Sequence, residues 1–479
     1  MLEIAKSDIL KSLRRDNPWW NASYKRAQSP TEKTRAYFSP FSTLALDWSV
    51  RRSTILMGPR RVGKTVMLRQ LIEKAINEGF NGQNILFVSI DTPLYSGMPL
   101  SRLIDLFEEE TEHDAQARRI IVFDEIQYLR DWEVHLKVLT DQHPNTRFIA
   151  SGSAAAALRL KSQESGAGRF TDFFLPPLTF AEFLAFRELE TALIKSAPLG
   201  ATLRFSTPSI ERLNEEFINY LNFGGYPEAV LNPAIQADVQ RFLGRDIIDK
   251  VLLRDLPSLY GIQDIQELNR LFTTIAYHTG QEISLDGLAQ SSGVAKNTIT
   301  KYLEYLEAAF LIVRIRRVDD TGKTFQRMRN FKVYLTNPSM RAALFAPIAD
   351  GDDAMGAMAE TAIFSQWFHS DLMKNLHYAR WKQGRTDLEV DLVRVDPARL
   401  KPTWAYEIKW SDRYASDQPG ELRGLVEFAK RNFADSVPAG ATTKTITAES
   451  EIDGVLIRHF PCALHCYQVG KNVAEGRAP

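Results

Sequence analysis

Eight residues, Gly58-Pro59-Arg60-Arg61-Val62-Gly63-Lys64-Thr65, fit the pattern G-x-x-x-x-G-K-[ST] at every fixed position. The pattern constrains the fold because it works only between a strand and a helix. An apolar run, Thr54 to Met57, predicts the entering strand. Val66 to Ile76, apolar at helical spacing, predicts the departing helix. Gly58 and Gly63 let the backbone curl until its N–H groups point at phosphate oxygens, and the helix N-terminus adds partial positive charge at the same place. Lys64 is then placed to reach the β- and γ-phosphates, and the Thr65 hydroxyl to ligate magnesium. The stretch from Gly58 to Val66 is the expected lining of a bound nucleotide. The plain alternative is a Gly-rich turn that happens to precede a helix.

A second segment argues against that alternative. IIVFDEIQYL, Ile120 to Leu129, reads as a short buried strand ending in two carboxylates. Asp124 is suited to hold magnesium, and Glu125 to polarise the water that attacks a γ-phosphate. Two more strands fit the same sheet, Asn84 to Ile90 and Thr146 to Ala150. The second ends in Ser151, which is placed either to sense the γ-phosphate or simply to form a turn.

The chain has 479 residues, enough for about three or four domains. With 44% apolar and 25% charged residues it is globular rather than disordered. Basic and acidic residues balance at 59 each, so a nucleic-acid surface has to be a local patch. No apolar run approaches the roughly 20 residues that cross a bilayer. The first residues lack the apolar centre of a signal peptide. Two cysteines make no disulfide framework, so a cytoplasmic protein without membrane association is expected. Cys462 and Cys466 stand beside His459 and His465 in an apolar stretch, which reads as a buried core element; half a zinc site is the alternative.

Along the chain, residues 1–50 form an N-terminal arm whose Trp19 and Trp20 are expected to dock onto the core. A nucleotide-binding core runs over 51–178. Within it, Arg169 lies on a Gly-flanked loop, either as a charge that reaches a neighbouring subunit's γ-phosphate or as a solvated loop residue. Residues 179–258 read as a helical lid, opened by a Thr179/Glu182 capping pair. Residues 259–333 hold two short helices around Gly293, a helix-turn-helix pattern followed by a strand, as in a winged helix. Lys296, Asn297, Thr298, Thr300 and Lys301 would lead the second helix. Between Arg314 and Lys332 seven basic residues face Asp319 and Asp320, which suits phosphate contacts, although such modules also bind proteins.

Residues 334–479 carry another constellation. Asp391 lies in one strand-like segment, and Glu407 and Lys409 in the next. Side-chain alternation puts 407 and 409 on one face, and Asp391 joins them if the strands pair. Two carboxylates can hold a magnesium ion, and the lysine beside them can orient water against a phosphodiester. A helix bearing Glu360 precedes them. An ordinary surface hairpin is the alternative.

Taken together, LMGPRRVGKTVMLRQLI, VFDEIQYL, ASGSAA, GRF…LPPLTFAEFL, FGGYPEAV, EVDLV and YEIKW resemble the bacterial and archaeal AAA-type P-loop ATPases (AAA_14) with a C-terminal DUF4143 domain. The resemblance implies an α/β chain: an AAA+-like P-loop NTPase core, a helical lid, a winged helix and a PD-(D/E)xK nuclease-like domain of restriction-endonuclease type. Carried over by motif, it implies an ATPase site at Lys64, Thr65, Asp124 and Glu125, and a nuclease-like site at Asp391, Glu407 and Lys409. That nuclease pattern often has proline before its first aspartate, where Val390 stands here. The expected function is magnesium-dependent ATP hydrolysis by a homo-oligomer, a hexameric ring among its possible forms, remodelling branched or double-stranded repair DNA. An ATP-gated nuclease in defence and a nucleotide switch that gates protein assembly are the alternatives.

Overall fold

A computed structural model of the chain describes residues 5–21, 24, 33–95, 97–111, 117–152, 168–198, 203–324, 330–368, 370–416, 419–433 and 439–477. The chain divides into two compact units, Met1–Leu175 and Pro176–Pro479.

The first unit is built on five parallel strands: β1 (Ser53–Met57), β2 (Ile85–Ser89), β3 (Arg119–Asp124), β4 (Thr146–Gly152) and β5 (Phe170–Phe174), in the order β2-β3-β4-β1-β5. β1, β3 and β4 are buried along their whole length, as continuous apolar runs require in a sheet covered on both faces. Helices α1 (Lys6–Asp16), α2 (Phe38–Ala45), α3 (Lys64–Asn77), α4 (Leu100–Thr111) and α5 (Trp132–Gln142) complete the unit. The arm docks as expected, and the reason is visible at the sheet edge. β2 is an edge strand, so its outward N–H and C=O groups would otherwise be open to a foreign strand. The Trp19 and Trp20 indoles both donate to Ile85 O, at 3.0 and 2.7 Å. The Asn17 amide donates to Phe87 O and accepts from Phe87 N–H, at 2.8 and 2.6 Å.

The second unit opens with α6 (Phe180–Phe186) and α7 (Ile210–Phe223). The capping box at α6 is present: Thr179 Oγ1 accepts from Glu182 N–H and Glu182 accepts from Thr179 N–H. These helices pack Phe180, Phe183 and Phe217 into the same core as Trp367, Cys466 and Tyr467. Then come α8 (Ile265–Tyr277), β6 (Glu282–Ser284), α9 (Leu285–Ser292), α10 (Lys296–Ala308), β7 (Ile312–Val318) and β8 (Asn330–Leu335). Gly293 ends α9 at φ 73°, the left-handed turn that lets α10 leave at an angle. Next are α11 (Met355–Gln366), β9 (Leu376–Gln383), β10 (Thr386–Asp396), β11 (Lys401–Glu407), α12 (Arg423–Asn432), β12 (Ala439–Thr443), β13 (Ala448–Ile452), β14 (Val455–Pro461) and α13 (Cys462–Ala474).

Among the described residues these strands make one nine-stranded mixed sheet, ordered β13-β14-β12-β11-β10-β9-β7-β8-β6. The join is the parallel pairing of β9 with β7, His377 opposite Arg316. The helix-turn-helix segment and the C-terminal segment therefore share one backbone ladder across the boundary expected at 333/334.

Candidate functional site

The glycine-rich loop leaves the C-terminal end of β1 and closes onto α3, which begins at Lys64. Arg61 and Gly63 both take positive φ, 59° and 97°, which turns successive N–H groups toward one concavity. Gly58 is required by space, because a Cβ there would run into Leu175 O. From the arm, the buried Arg35 guanidinium donates to Val62 O at 2.7 Å and braces the loop from outside. Sequence reasoning missed this residue; a lone arginine in an arm carries no motif. Lys64 Nζ, 4% exposed, donates to Gly58 O (3.1 Å) and Pro59 O (2.8 Å), so the ammonium lies folded over the loop mouth. Arg60 donates to Tyr128 OH at 2.9 Å.

β3 and β4 bring the acidic partners to the same end of the sheet. Thr65 Oγ1 donates to Asp124 Oδ2 at 2.7 Å, and Ser151 Oγ donates to Asp124 Oδ1. Burial raises the Asp124 carboxyl above its ordinary range, against the pull of the Ser151 and Thr65 hydrogen bonds. A pair of oxygen ligands facing each other in a buried polar corner, beside a phosphate cradle, fits Mg²⁺, which takes few protein ligands and completes its shell with phosphate and water. Glu125 sits at φ 53°, its N–H donating to Ser151 Oγ at 3.1 Å and its carboxylate accepting from the Gln127 amide. Ser151 is fully buried, and its hydroxyl donates to Asp124 and accepts from Glu125 N–H, so it orders both residues.

Arg169 is not part of this cluster. Its carbonyl accepts from Ser53 N–H at the start of β1, and β5 runs parallel to β1 with Met57 opposite Phe174. Arg169 therefore lies at the opposite end of these strands from Gly58, about 16 Å away at strand rise. It is exposed and paired with Asp141 at 2.6 Å.

The C-terminal constellation also assembles. Pairing of β10 with β11 puts Asp391 beside the end of β11, where Ile408 N–H donates to Asp391 Oδ2 at 3.0 Å. Lys409, just past the strand, reaches Glu407 Oε1 at 2.7 Å and Asp391 Oδ2 at 3.8 Å. Glu360 of α11 faces the same pocket. What the sequence did not show is Lys332. Counted above among wing cations, it is 3% exposed, with Nζ at 2.8 Å from Glu360, 2.7 Å from Glu389 and 3.1 Å from Asp391. Burial opposes its charge, yet the carboxylates win and hold the ammonium well above its ordinary value. Burial pushes the Glu407 carboxyl up to about 8 and Glu360 to about 7. Asp391, between two lysines, stays below its ordinary value despite burial.

The basic wing shrinks accordingly. Arg314 pairs with Glu307, and Arg317 donates to Arg380 O. Arg316 and Lys323 are exposed, while Arg327 and Arg329 lie outside the described residues. On α10, Asn297, Thr300 and Lys301 are exposed, and Lys296 pairs with Asp286. Cys462 and Cys466 are buried free thiols, as a core element requires. Among the described residues no group of three or more His, Cys, Asp or Glu is arranged to hold a metal ion, and no helix is long and apolar enough to cross a membrane.

The AAA_14 family model (AAA domain) matches residues 50–184, and a domain of unknown function, DUF8612, matches residues 214–350. An uncharacterized protein of Haemophilus influenzae is 24% identical over 292 residues, 60% of this chain and 68% of that protein. One from Methanocaldococcus jannaschii is 25% identical over 275 residues, 56% of this chain and 58% of its own length. Among solved structures, a Walker-type ATPase of Pyrococcus abyssi is 18% identical with a TM-score of 0.41, covering 68% of this chain and 99% of that one. DnaA of Aquifex aeolicus is 12% identical with a TM-score of 0.28, covering 57% and 87%. At these scores the assignment rests on the sequence match and on the strand order and loop geometry above. Residues 50–184 are similar to the AAA domains of the AAA_14 family.

Proposed function

We propose that the chain hydrolyses ATP and uses the cycle to act on DNA. The observation that carries the first half is the convergence of Lys64, Thr65, Asp124, Glu125 and Ser151 where β1, β3 and β4 end. The loop from Gly58 to Val66 supplies N–H donors for the phosphates, and Lys64 exchanges its carbonyl partners for phosphate oxygens. Thr65 and Asp124 would hold Mg²⁺, which when bound neutralises phosphate charge. Glu125, steadied by Gln127, accepts a proton from water as the water oxygen bonds to the γ-phosphorus. The bond to the bridging oxygen breaks, and ADP and phosphate leave. Arg169, exposed at the far end of the strands, is proposed to serve a neighbouring subunit in a homo-oligomer.

For the DNA output, the support is the α8-β6-α9-α10-β7-β8 order, read as a winged helix, with Asn297, Thr300 and Lys301 exposed on α10. The C-terminal order α11-β9-β10-β11-α12-β12, with Asp391, Glu407 and Lys409 brought together, favours a nuclease-like domain of the DUF4143 type as a second reading. Lys64→Ala should abolish nucleotide uptake in calorimetry. Glu125→Gln should keep uptake and lower turnover at least about 100-fold. Unchanged turnover in either variant removes the ATPase reading. Absence of binding to branched and linear duplexes at low salt, with an ATPase rate indifferent to both, removes the DNA reading.

A further inference from the structure

Strand β8 reads Asn-Phe-Lys-Val-Tyr-Leu, an apolar run with one ammonium in it. An unpaired buried lysine would give up its proton rather than stay charged. Lys332 instead meets three carboxylates from two other elements, Glu360 on α11 and Glu389 and Asp391 on β10. The ammonium donates to Glu360 Oε1 and Asp391 Oδ1 and forms an ion pair with Glu389 at 2.7 Å. The surroundings are equally settled. Tyr334 OH donates to the same Glu360 oxygen that Lys332 meets. The second Glu389 oxygen lies 3.6 Å from Arg380. Asp391 gives Oδ1 to Lys332 and Oδ2 to Ile408 N–H.

A divalent ion shared by Asp391 and Glu407 does not fit this arrangement. Mg²⁺ needs near-octahedral oxygens at about 2.0–2.1 Å. Here both Asp391 oxygens are engaged, and Lys409 stands between Asp391 and Glu407. We propose that Lys332 is the resident cation of this pocket: its ammonium takes the charge-neutralising place of a divalent ion, and removing that ammonium turns the carboxylate cluster into a divalent-cation site. The claim is independent of ATP hydrolysis. It bears on the nuclease-like reading by requiring that any metal-dependent cutting first withdraw Lys332. Lys332 belongs to β8, which pairs with β7 and β6 beside the helix-turn-helix, so a shift of that strand would carry the ammonium with it.

The test is Mn²⁺ uptake by the full chain without nucleotide, followed by loss of the free-ion electron paramagnetic resonance signal. Wild type should show no uptake that depends on Asp391. Lys332→Met, similar in length and uncharged, should take up one Mn²⁺ per chain, and Asp391→Asn added to it should abolish that uptake. If Lys332→Met is unfolded without divalent ions, Mn²⁺ should restore its circular dichroism. Wild-type uptake that Asp391→Asn removes overturns the proposal. So does a Lys332→Met chain that is folded and takes up none, or that stays unfolded in Mn²⁺.

Discussion

A single buried hydroxyl, that of Ser151, holds two acidic residues in place at the nucleotide end of the first sheet. Ser151→Ala leaves an Asp124 oxygen and the Glu125 N–H without their partner, at a cost of about 1–3 kcal/mol. Urea unfolding of the variant should show that loss, and turnover should fall by about tenfold with nucleotide affinity changed less. Equal stability and turnover would mean the hydroxyl orders nothing. At this scale the phosphate loop was legible because its chemistry needs contiguous residues, each of which the motif names. Asp391, Glu407 and Lys409 were legible because alternation along a strand fixes which side chains share a face. Lys332 was not. Its partners lie 28 to 59 positions away, and a lysine between basic residues reads as one more wing charge. Only the path of β8 shows that it turns inward.

Elements were more legible in kind than in extent. The helix after the loop was expected from Val66 and begins at Lys64, because the positive φ of Gly63 lets the chain enter the helix at once. The helix expected to bear Glu360 is present and runs from Met355 to Gln366. The helices expected as a lid were recognisable by their capping box, but their share in a core with Trp367 and Tyr467 depends on distant contacts that no local pattern reports. Helix α13 yields a pH prediction. Burial holds the His465 imidazole down at about 4, below the ordinary value near 6.5. Between those values the unfolded chain binds a proton that the folded chain does not. Stability is therefore full above about pH 6.5 and declines as pH falls toward 4. The decline from this residue should reach about 2 kcal/mol by about pH 5. His465→Gln should flatten that limb of a urea-midpoint profile; an unaltered limb assigns it to other groups.

The whole chain is two compact units, and the second carries its helix-turn-helix and its C-terminal segment on one sheet. Pairing of β7 with β9 and the Lys332 cluster tie those segments together. A fragment spanning 176–479 should therefore unfold in urea as one transition, with circular dichroism and tryptophan fluorescence coincident. Two separated transitions would show that the shared sheet does not couple them. Sequence periodicity delimits each segment but carries no record of which edge strands meet, so this union was invisible before the strand order was known. The same unit encloses Cys462 and Cys466, four positions apart on α13, with no exposed surface. Burial lifts the Cys462 thiol to about 12 and raises the Cys466 thiol well above its ordinary value, so neither forms appreciable thiolate in the native state. Alkylating reagents must wait for α13 to come loose, which gives the unaltered chain its own clock for opening events too rare for optical probes.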